Sequence, residues 1–381
     1  MPQRGTSLCP RLARPAKRDH RARSAAEVRN LNICSLRNMA IKIAINGFGR
    51  IGRTFFRLAF GRPEIKIVAI NDLGDLDNLA YLLKYDSVYG IYKEKVSTDI
   101  KNNKLIVGNQ KIDFIQEKEP ANLPWGKLGV DVAVESTGFF ETFEGSAAHL
   151  KAGAKRVVIT APAKDDDESY KLGATVLLGV NEEDMKKVKI TSNGSCTTNA
   201  VAPVVAVMSE RLGIKKAVLN TTHAYTATQR IVDGPDKKDW RRGRAGAINL
   251  VPSTTGAAIA VTKAVKSLKN IFDGIAIRTP VPTVSLADIT FVASRKTSVE
   301  EINNIFKEEA KKPRWKGILG VSEEDLVSTD FIGIETASIV DLNFTKVIDG
   351  DLVKVLAWYD NEWGYSATLV EHVIKAGKLI K

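Results

Sequence analysis

One thiol and one imidazole carry the chemistry this sequence offers. The densest polar cluster, TSNGSCTTN at 191–199, surrounds Cys196 with hydroxyl and amide side chains, and the apolar helical stretch AVAPVVAVMSERLG follows it. Cys196 therefore sits near a helix N-terminus, where the dipole and free backbone N–H groups stabilise a thiolate and later an oxyanion. Acyl chemistry at an aldehyde carbon requires both. A free cysteine is ordinarily a buried packing residue, a role the polar surroundings argue against. Of the four histidines, His20 lies in a basic leader, His149 in GSAAHLKAGAK reads as a helix-surface residue, and His372 follows Glu371 on the last helix. His223 ends an apolar strand, KKAVLNTTHAY, in the same half of the chain as Cys196, and is the natural base for the thiol.

A second constellation lies near the start. Gly47, Phe48, Gly49, Arg50, Ile51 and Gly52 form GxGxxG between a predicted strand, IKIAIN, and a predicted helix, RIGRTFFRLAF. Glycines there permit a tight turn and let a pyrophosphate approach the backbone and rest on the helix N-terminus. The next strand, IKIVAIN, ends at Asn71-Asp72, and Asp72 lies 20 residues past Gly52, the distance expected of an acid that bonds the adenosine ribose hydroxyls. A carboxylate there repels a 2′-phosphate, so the expected cofactor is NAD rather than NADP. Taken alone, Asp72 would read as a turn or helix-cap residue.

The elements that must position these groups follow from periodicity. From Ile41 onward short apolar runs (IKIAIN, IKIVAIN, VDVAVEST, KRVVIT) alternate with helical patterns, which predicts βαβ units and a doubly wound parallel sheet. After Ser195 longer strands and a hairpin signal at Asp349-Gly350 predict a mostly antiparallel sheet with helices. Ser298 and Glu301 offer a capping box before INNIFKEEAKK, and the segment from Gly364 to Ile380 is again helical in pattern. A chain of 381 residues fits two domains, and 44% hydrophobic with 26% charged residues fits a globular enzyme rather than a disordered chain. No run approaches the roughly 20 apolar residues of a membrane span. The net charge of +12 is not spread as a nucleic-acid face requires, because residues 1–39 hold eight Arg and Lys17 against Asp19 and Glu27, which leaves +5 for the body. Cys9 and Cys34 also lie in that leader, so the body holds one cysteine, no internal disulfide and no expected metal centre. The leader reads as a mis-assigned start or an organelle-targeting segment.

The motifs NGFGRIGR, NDL, STGFF, SNGSCTTN, HAYT, PSTTGAA and WYDNEWGYS, in this order from about residue 40 to the end, resemble the phosphorylating glyceraldehyde-3-phosphate dehydrogenase family. The resemblance implies an α/β protein with a Rossmann NAD-binding domain at 40–195, an α+β catalytic domain at 196–360, and a last helix, 361–381, packing back on the first. It implies Cys196 as nucleophile and His223 as base. Thr226 and Arg278 are then expected on the substrate's phosphate, with Ser195, Thr197, Arg242, Thr255 and Gly256 around inorganic phosphate. Ser136, Thr137, Asn361 and Tyr365 are expected to line the nicotinamide pocket, and Pro235 matches an NAD-type loop. A cytoplasmic homotetramer converting glyceraldehyde 3-phosphate and inorganic phosphate to 1,3-bisphosphoglycerate is the implied whole. The alternatives are a relative acting on erythrose 4-phosphate, against which the intact PSTTGAA loop argues, and a nucleic-acid-binding protein acting through the leader. Departures from the family pattern are Ala200, Ile259, the acidic segment 163–174, and TATQ after His223.

Overall fold

The structure, a computed structural model, describes residues 40–165, 171–237 and 239–380; the leader and the centre of the acidic segment lie outside the described residues. In chain order the first sheet region contains β1 (Ile41–Asn46), α1 (Arg50–Ala59), β2 (Ile65–Asn71), α2 (Leu76–Lys84), a small hairpin of β3 (Tyr85–Asp86) and β4 (Gly90–Ile91), β5 (Val96–Asp99), β6 (Lys104–Val107), β7 (Gln110–Ile115), α3 (Trp125–Leu128), β8 (Val132–Glu135), α4 (Phe143–Lys151), β9 (Arg156–Ile159), β10 (Gly173–Thr175) and β11 (Ile190–Ser192). Its nine strands run in the order β10-β11-β9-β8-β1-β2-β7-β6-β5. Every pair from β10 to β7 is parallel, and β6 and β5 extend the edge antiparallel. The central strands β8 and β9 are buried at every position, as an apolar run covered by helices on both faces must be.

The second region contains α5 (Cys196–Arg211), β12 (Ile214–Ala224), β13 (Val251–Thr254), α6 (Ala257–Ala264), β14 (Phe272–Thr279), β15 (Ser285–Ala293), α7 (Val299–Glu309), β16 (Leu319–Ser322), β17 (Ser338–Ile348), β18 (Leu352–Tyr359) and α8 (Trp363–Lys378). Its sheet is ordered β13-β14-β12-β15-β18-β17-β16, antiparallel except for the β12–β14 and β16–β17 pairs. The expected hairpin joins β17 to β18, with Asp349 and Gly350 both at positive φ. The Ser298 cap is only half of the expected box: Ser298 accepts from the Glu301 N–H, while the Glu301 carboxylate turns to Arg295 and Thr297.

Two helices decide where the chemistry sits. α5, built from small and β-branched residues, is buried continuously from Thr197 to Met208, so it has no polar face and lies inside the protein. α8 packs on α1 and also touches β1, β8, β9 and α5.

His149 corrects the sequence reading. It is fully buried rather than on a helix surface: Trp125 Nε1 donates to its Nδ1 at 3.0 Å and its Nε2 lies 2.9 Å from Glu135 Oε2. An indole N–H only donates, so the ring carries its proton on Nε2 and gives it to the carboxylate. A small apolar moment on α4 hid this, because Phe143, Ser146 and His149 make its inner stripe.

Candidate active site

The nucleophile is delivered by a strand, a sharp turn and a helix. β11 ends at Ser192, Gly194 takes φ +64, and a Cβ there would press on the Thr198 side chain at 3.0 Å. Ser195 caps α5, its hydroxyl accepting from the Thr198 N–H while Thr198 reaches back to the Ser195 N–H, a reciprocal box that fixes the first turn. Cys196, the first residue of that turn, is half-buried, and its Sγ lies 3.5 Å from Nε2 of His223 at the end of β12. Burial pushes the thiol above its ordinary value, outweighing Arg278 and the Thr197 and Cys196 N–H groups, which pull it down. Burial, then Arg278, pushes His223 down to about 3. Burial thus favours the uncharged members of the pair, thiol and neutral imidazole, against the thiolate that a helix N-terminus alone favours.

The other ring nitrogen has two neighbours. Nδ1 lies 2.7 Å from the Ala224 carbonyl and 2.7 Å from Nη1 of Arg278. Donation to the carbonyl leaves a lone pair on Nε2 facing the S–H. Acceptance from Arg278 places the proton on Nε2, facing a thiolate. The two arrangements differ by one proton: burial of the pair favours the first, and the Arg278 charge favours the second. Arg278 sits directly across from His223 in the β12–β14 register, and its Nε is buried with no partner among the described residues. A buried guanidinium with an unused N–H is a donor awaiting an acceptor.

β13 pairs with β14 on the far side, with Val251 opposite Arg278, and Thr255 and Gly256 follow the other end of β13. Arg242 donates through Nε to Ser253 Oγ at 3.0 Å; burial and, to a lesser degree, the Arg242 charge push the Arg278 pKa down, a repulsion that an anion between the two would relieve. Thr255 Oγ1 accepts from the Ala257 N–H at 3.1 Å. Gly256 caps α6 without a side-chain bond, and a Cβ on it would meet nothing within 4 Å. Thr226 Oγ1 contacts Thr228 Oγ1 at 2.9 Å on the loop after β12, whereas Thr197 is buried with its hydroxyl on Tyr359.

In the first region the three glycines separate by cause. A Cβ on Gly47 would lie 2.6 Å from the Thr137 nitrogen, and one on Gly52 would lie 2.2 Å from the Gly47 carbonyl oxygen, so packing within the protein demands both. Gly49 is the uncapped N-terminus of α1 and a Cβ there would meet nothing. Open space beside an uncapped helix N-terminus is what a bound phosphate group requires. Asp72 holds the loop, accepting from the Phe48 N–H at 2.6 Å and the Gly74 N–H at 2.8 Å, while the cap of α2 is Asp75. Phe48 itself is core, edge-on to Phe56, and Ile51 packs against the same cluster. Arg50 clamps Glu362 and Asp86, tying the start of α1 to the start of α8. Ser136 Oγ donates to the Gly47 carbonyl at 2.6 Å, and Thr137 leans on Glu135. Asn361 is buried, with Oδ1 accepting from Ser285 at 3.1 Å, and the Tyr365 hydroxyl donates to the Gly194 carbonyl at 3.1 Å.

Residues 41–143 match the family model of the glyceraldehyde 3-phosphate dehydrogenase NAD binding domain, and residues 195–361 match that of the C-terminal domain. The chain belongs to the glyceraldehyde-3-phosphate dehydrogenase family. It is 47% identical over 335 residues to "Glyceraldehyde-3-phosphate dehydrogenase 1" of Bacillus subtilis (strain 168), covering 87% of this chain and 97% of the relative. It is 48% identical to the Geobacillus stearothermophilus enzyme over the same length and shares, and 44% identical over 336 residues to the cytosolic protein of Ginkgo biloba, covering 88% and 96%. The protein is thus an NAD-dependent dehydrogenase of this family, and the open Gly49 cradle fits that cofactor.

Sequence reasoning passed over two members of the site. The Tyr359 hydroxyl lies 2.8 Å from Thr197 Oγ1 and 2.7 Å from Thr221 Oγ1, and its ring stands edge-on 6.0 Å from His223. Ser285 bonds both Asn361 and the Ala224 N–H, so one hydroxyl aligns the cofactor candidate and the base strand. The tyrosine of WYDNEW was visible as part of a motif, but nothing local pointed it at His223.

Proposed function

We propose that the chain performs the phosphorylating oxidation of glyceraldehyde 3-phosphate through a thioester on Cys196, with His223 moving the protons. The observation that carries this reading is the 3.5 Å approach of Cys196 Sγ to His223 Nε2 at the start of a capped helix. His223 takes the thiol proton, and Sγ bonds to the aldehyde carbon. The resulting oxyanion takes that proton back to become the hemithioacetal hydroxyl, held by His223 Nε2 and backbone N–H groups. NAD, bound on the Gly49 cradle, supplies a hydride acceptor. As the carbon–hydrogen bond breaks, His223 removes the hydroxyl proton and a thioester remains on Sγ. A phosphate oxygen then attacks the thioester carbon, the carbon–sulfur bond breaks, and the sulfur leaves as a thiolate beside Arg278 that takes back the proton held by His223, restoring the starting pair.

Arg278 and Thr226 are the proposed holders of the substrate's phosphate. Ser195, Thr197, Arg242, Thr255 and Gly256 are the proposed surroundings of the attacking phosphate, Thr197 acting through its backbone because its hydroxyl is taken. Arginine forks, hydroxyls and a free helix N-terminus are the donors that phosphate oxygens need. Ser136, Thr137, Asn361 and Tyr365 are the proposed walls of the nicotinamide pocket, Asp72 the ribose acid, and Pro235 part of the neighbouring loop.

A homotetramer is part of the same reading. Ile231, Val232, Trp240, Ile248 and Leu250 are each at least 70% exposed on one stretch of chain, an apolar surface that a monomer seldom leaves to water. No described helix is long and apolar enough to cross a membrane, and a cytoplasmic location is proposed with the rest.

The test is NADH formation from glyceraldehyde 3-phosphate and NAD, with and without phosphate and again with NADP. Sustained turnover that depends on phosphate and prefers NAD is expected. Undiminished turnover without phosphate would replace the phosphorylating reading with hydrolysis.

A further inference from the structure

The turn that presents Cys196 is held from a distance. Thr191 to Ser195 make five consecutive side-chain or carbonyl contacts, and α8, some 175 residues away in sequence, supplies the partners at Thr191, Asn193 and Gly194. His372 is the centre of that grip. It is fully buried, its Nε2 lies 2.7 Å from Thr191 Oγ1, and its Nδ1 lies 3.0 Å from Asn193 Oδ1.

The hydrogen positions follow from the neighbours. Thr368 Oγ1 donates to the Tyr365 carbonyl at 2.7 Å, so it accepts from Asn193 Nδ2, and the Asn193 amide must aim its oxygen at His372. Nδ1 therefore donates to Asn193, and Nε2 accepts from Thr191. Both ring nitrogens are satisfied in one neutral tautomer. Burial pushes this imidazole down to about 3, so it stays neutral throughout the working range.

Asn193 then passes the constraint to the nucleophile. Its carbonyl accepts from Asn199 Nδ2 at 2.7 Å, and the same amide group donates to the Ser195 carbonyl at 2.9 Å, which ties the turn to the first turn of α5. We infer that His372 is a positioning residue for the reaction: through Asn193 it fixes the turn that sets the distance and direction of Cys196 Sγ toward His223. This rests on Cys196 being the nucleophile. Thr191 anchors the strand end, whereas Asn193 lies inside the turn, so the Nδ1 bond is the one that matters.

The two bonds can be separated by substitution. His372→Leu removes both, His372→Gln keeps an acceptor near Nε2, and His372→Asn keeps a donor near Nδ1. Val373→Ala, a change at a fully buried neighbour on the same helix, controls for loss of helix packing. Each full-length variant is measured for kcat, KM for NAD, melting temperature, and the rate at which iodoacetamide alkylates Cys196, followed by mass spectrometry of the Cys196 peptide because the chain also holds the thiols of Cys9 and Cys34.

His372→Leu is expected to lower kcat and the Cys196 alkylation rate roughly tenfold, the scale on which misplacing a reactive group costs rate, with KM for NAD within about twofold. His372→Asn is expected to recover most of that loss, and His372→Gln little of it. Should His372→Leu lower the melting temperature yet leave kcat and alkylation within about twofold of the parent, or Val373→Ala slow alkylation equally, the inference is wrong. Failure of the catalytic reading itself is distinguishable, because Cys196→Ser would then retain turnover.

Discussion

The phosphate loop and the nucleophile turn are the same device used in opposite ways. Each runs from a parallel strand through a positive-φ glycine into a helix: β1, Gly47 and α1 in one, β11, Gly194 and α5 in the other. The first leaves its helix uncapped and its middle glycine facing open space. The second closes its helix with a reciprocal cap and receives hydrogen bonds from α8 at Asn193 and at Gly194 itself. An exchangeable ligand needs donors left free, whereas a covalent nucleophile needs one atom held still. The difference lies in what the turn is bonded to, not in its backbone path.

The comparison breaks most visibly at the sulfur. Cys196→Ser is expected to lower turnover by at least about 1000-fold, while NAD affinity, measured by fluorescence titration, stays within about twofold. Retained turnover would mean the nucleophile turn serves packing alone. The glycines of the phosphate loop sharpen the contrast. Gly49→Ala is expected to raise KM for NAD severalfold with an unchanged melting temperature, since the added Cβ enters the ligand's space and meets no protein atom within 4 Å. Gly47→Ala is expected to cost stability, about 2 kcal/mol or more by chemical denaturation, because φ is +93 and the Thr137 nitrogen stands in the way.

That division also shows what was legible in the chain. The phosphate loop could be read because its physics is local: three glycines, a strand before, a helix after, and an acid at the next strand end. Cys196 and His223 were legible because a polar cluster at a helix start and a histidine at a strand end are chemically odd. Their supports were not. His372, Tyr359 and Ser285 come from elements 90 to 180 residues away, and His149 was misread because its helix has a weak apolar stripe around a buried carboxylate. Long-range polar contacts leave no periodicity behind them.

A smaller effect separates the regions by pH. His223 and His372 flank the nucleophile turn, and both have folded-state pKa values pushed down to about 3. Between about 3 and the unfolded value near 6.5 the unfolded chain binds the additional protons, so stability is complete above that window and falls as pH drops through it. Each histidine contributes a slope of up to roughly 1.4 kcal/mol per pH unit. Denaturation midpoints measured from pH 7 to pH 4 should show that decline, and His372→Leu should make it shallower. A slope unchanged by that substitution would contradict the neutral, buried tautomer. The smallest expected effect is at the distant Ser298 cap: Ser298→Ala should cost about 1 kcal/mol of stability and leave both regions' kinetics untouched.

The most direct measurement is an acid quench of the full-length protein after mixing with NAD and glyceraldehyde 3-phosphate in the absence of phosphate, followed by peptide mass spectrometry. A 3-phosphoglyceroyl group on the Cys196 peptide, formed in step with one equivalent of NADH and released when phosphate is added, is the expected result. NADH formed at full rate with the Cys196 peptide unmodified would contradict the account.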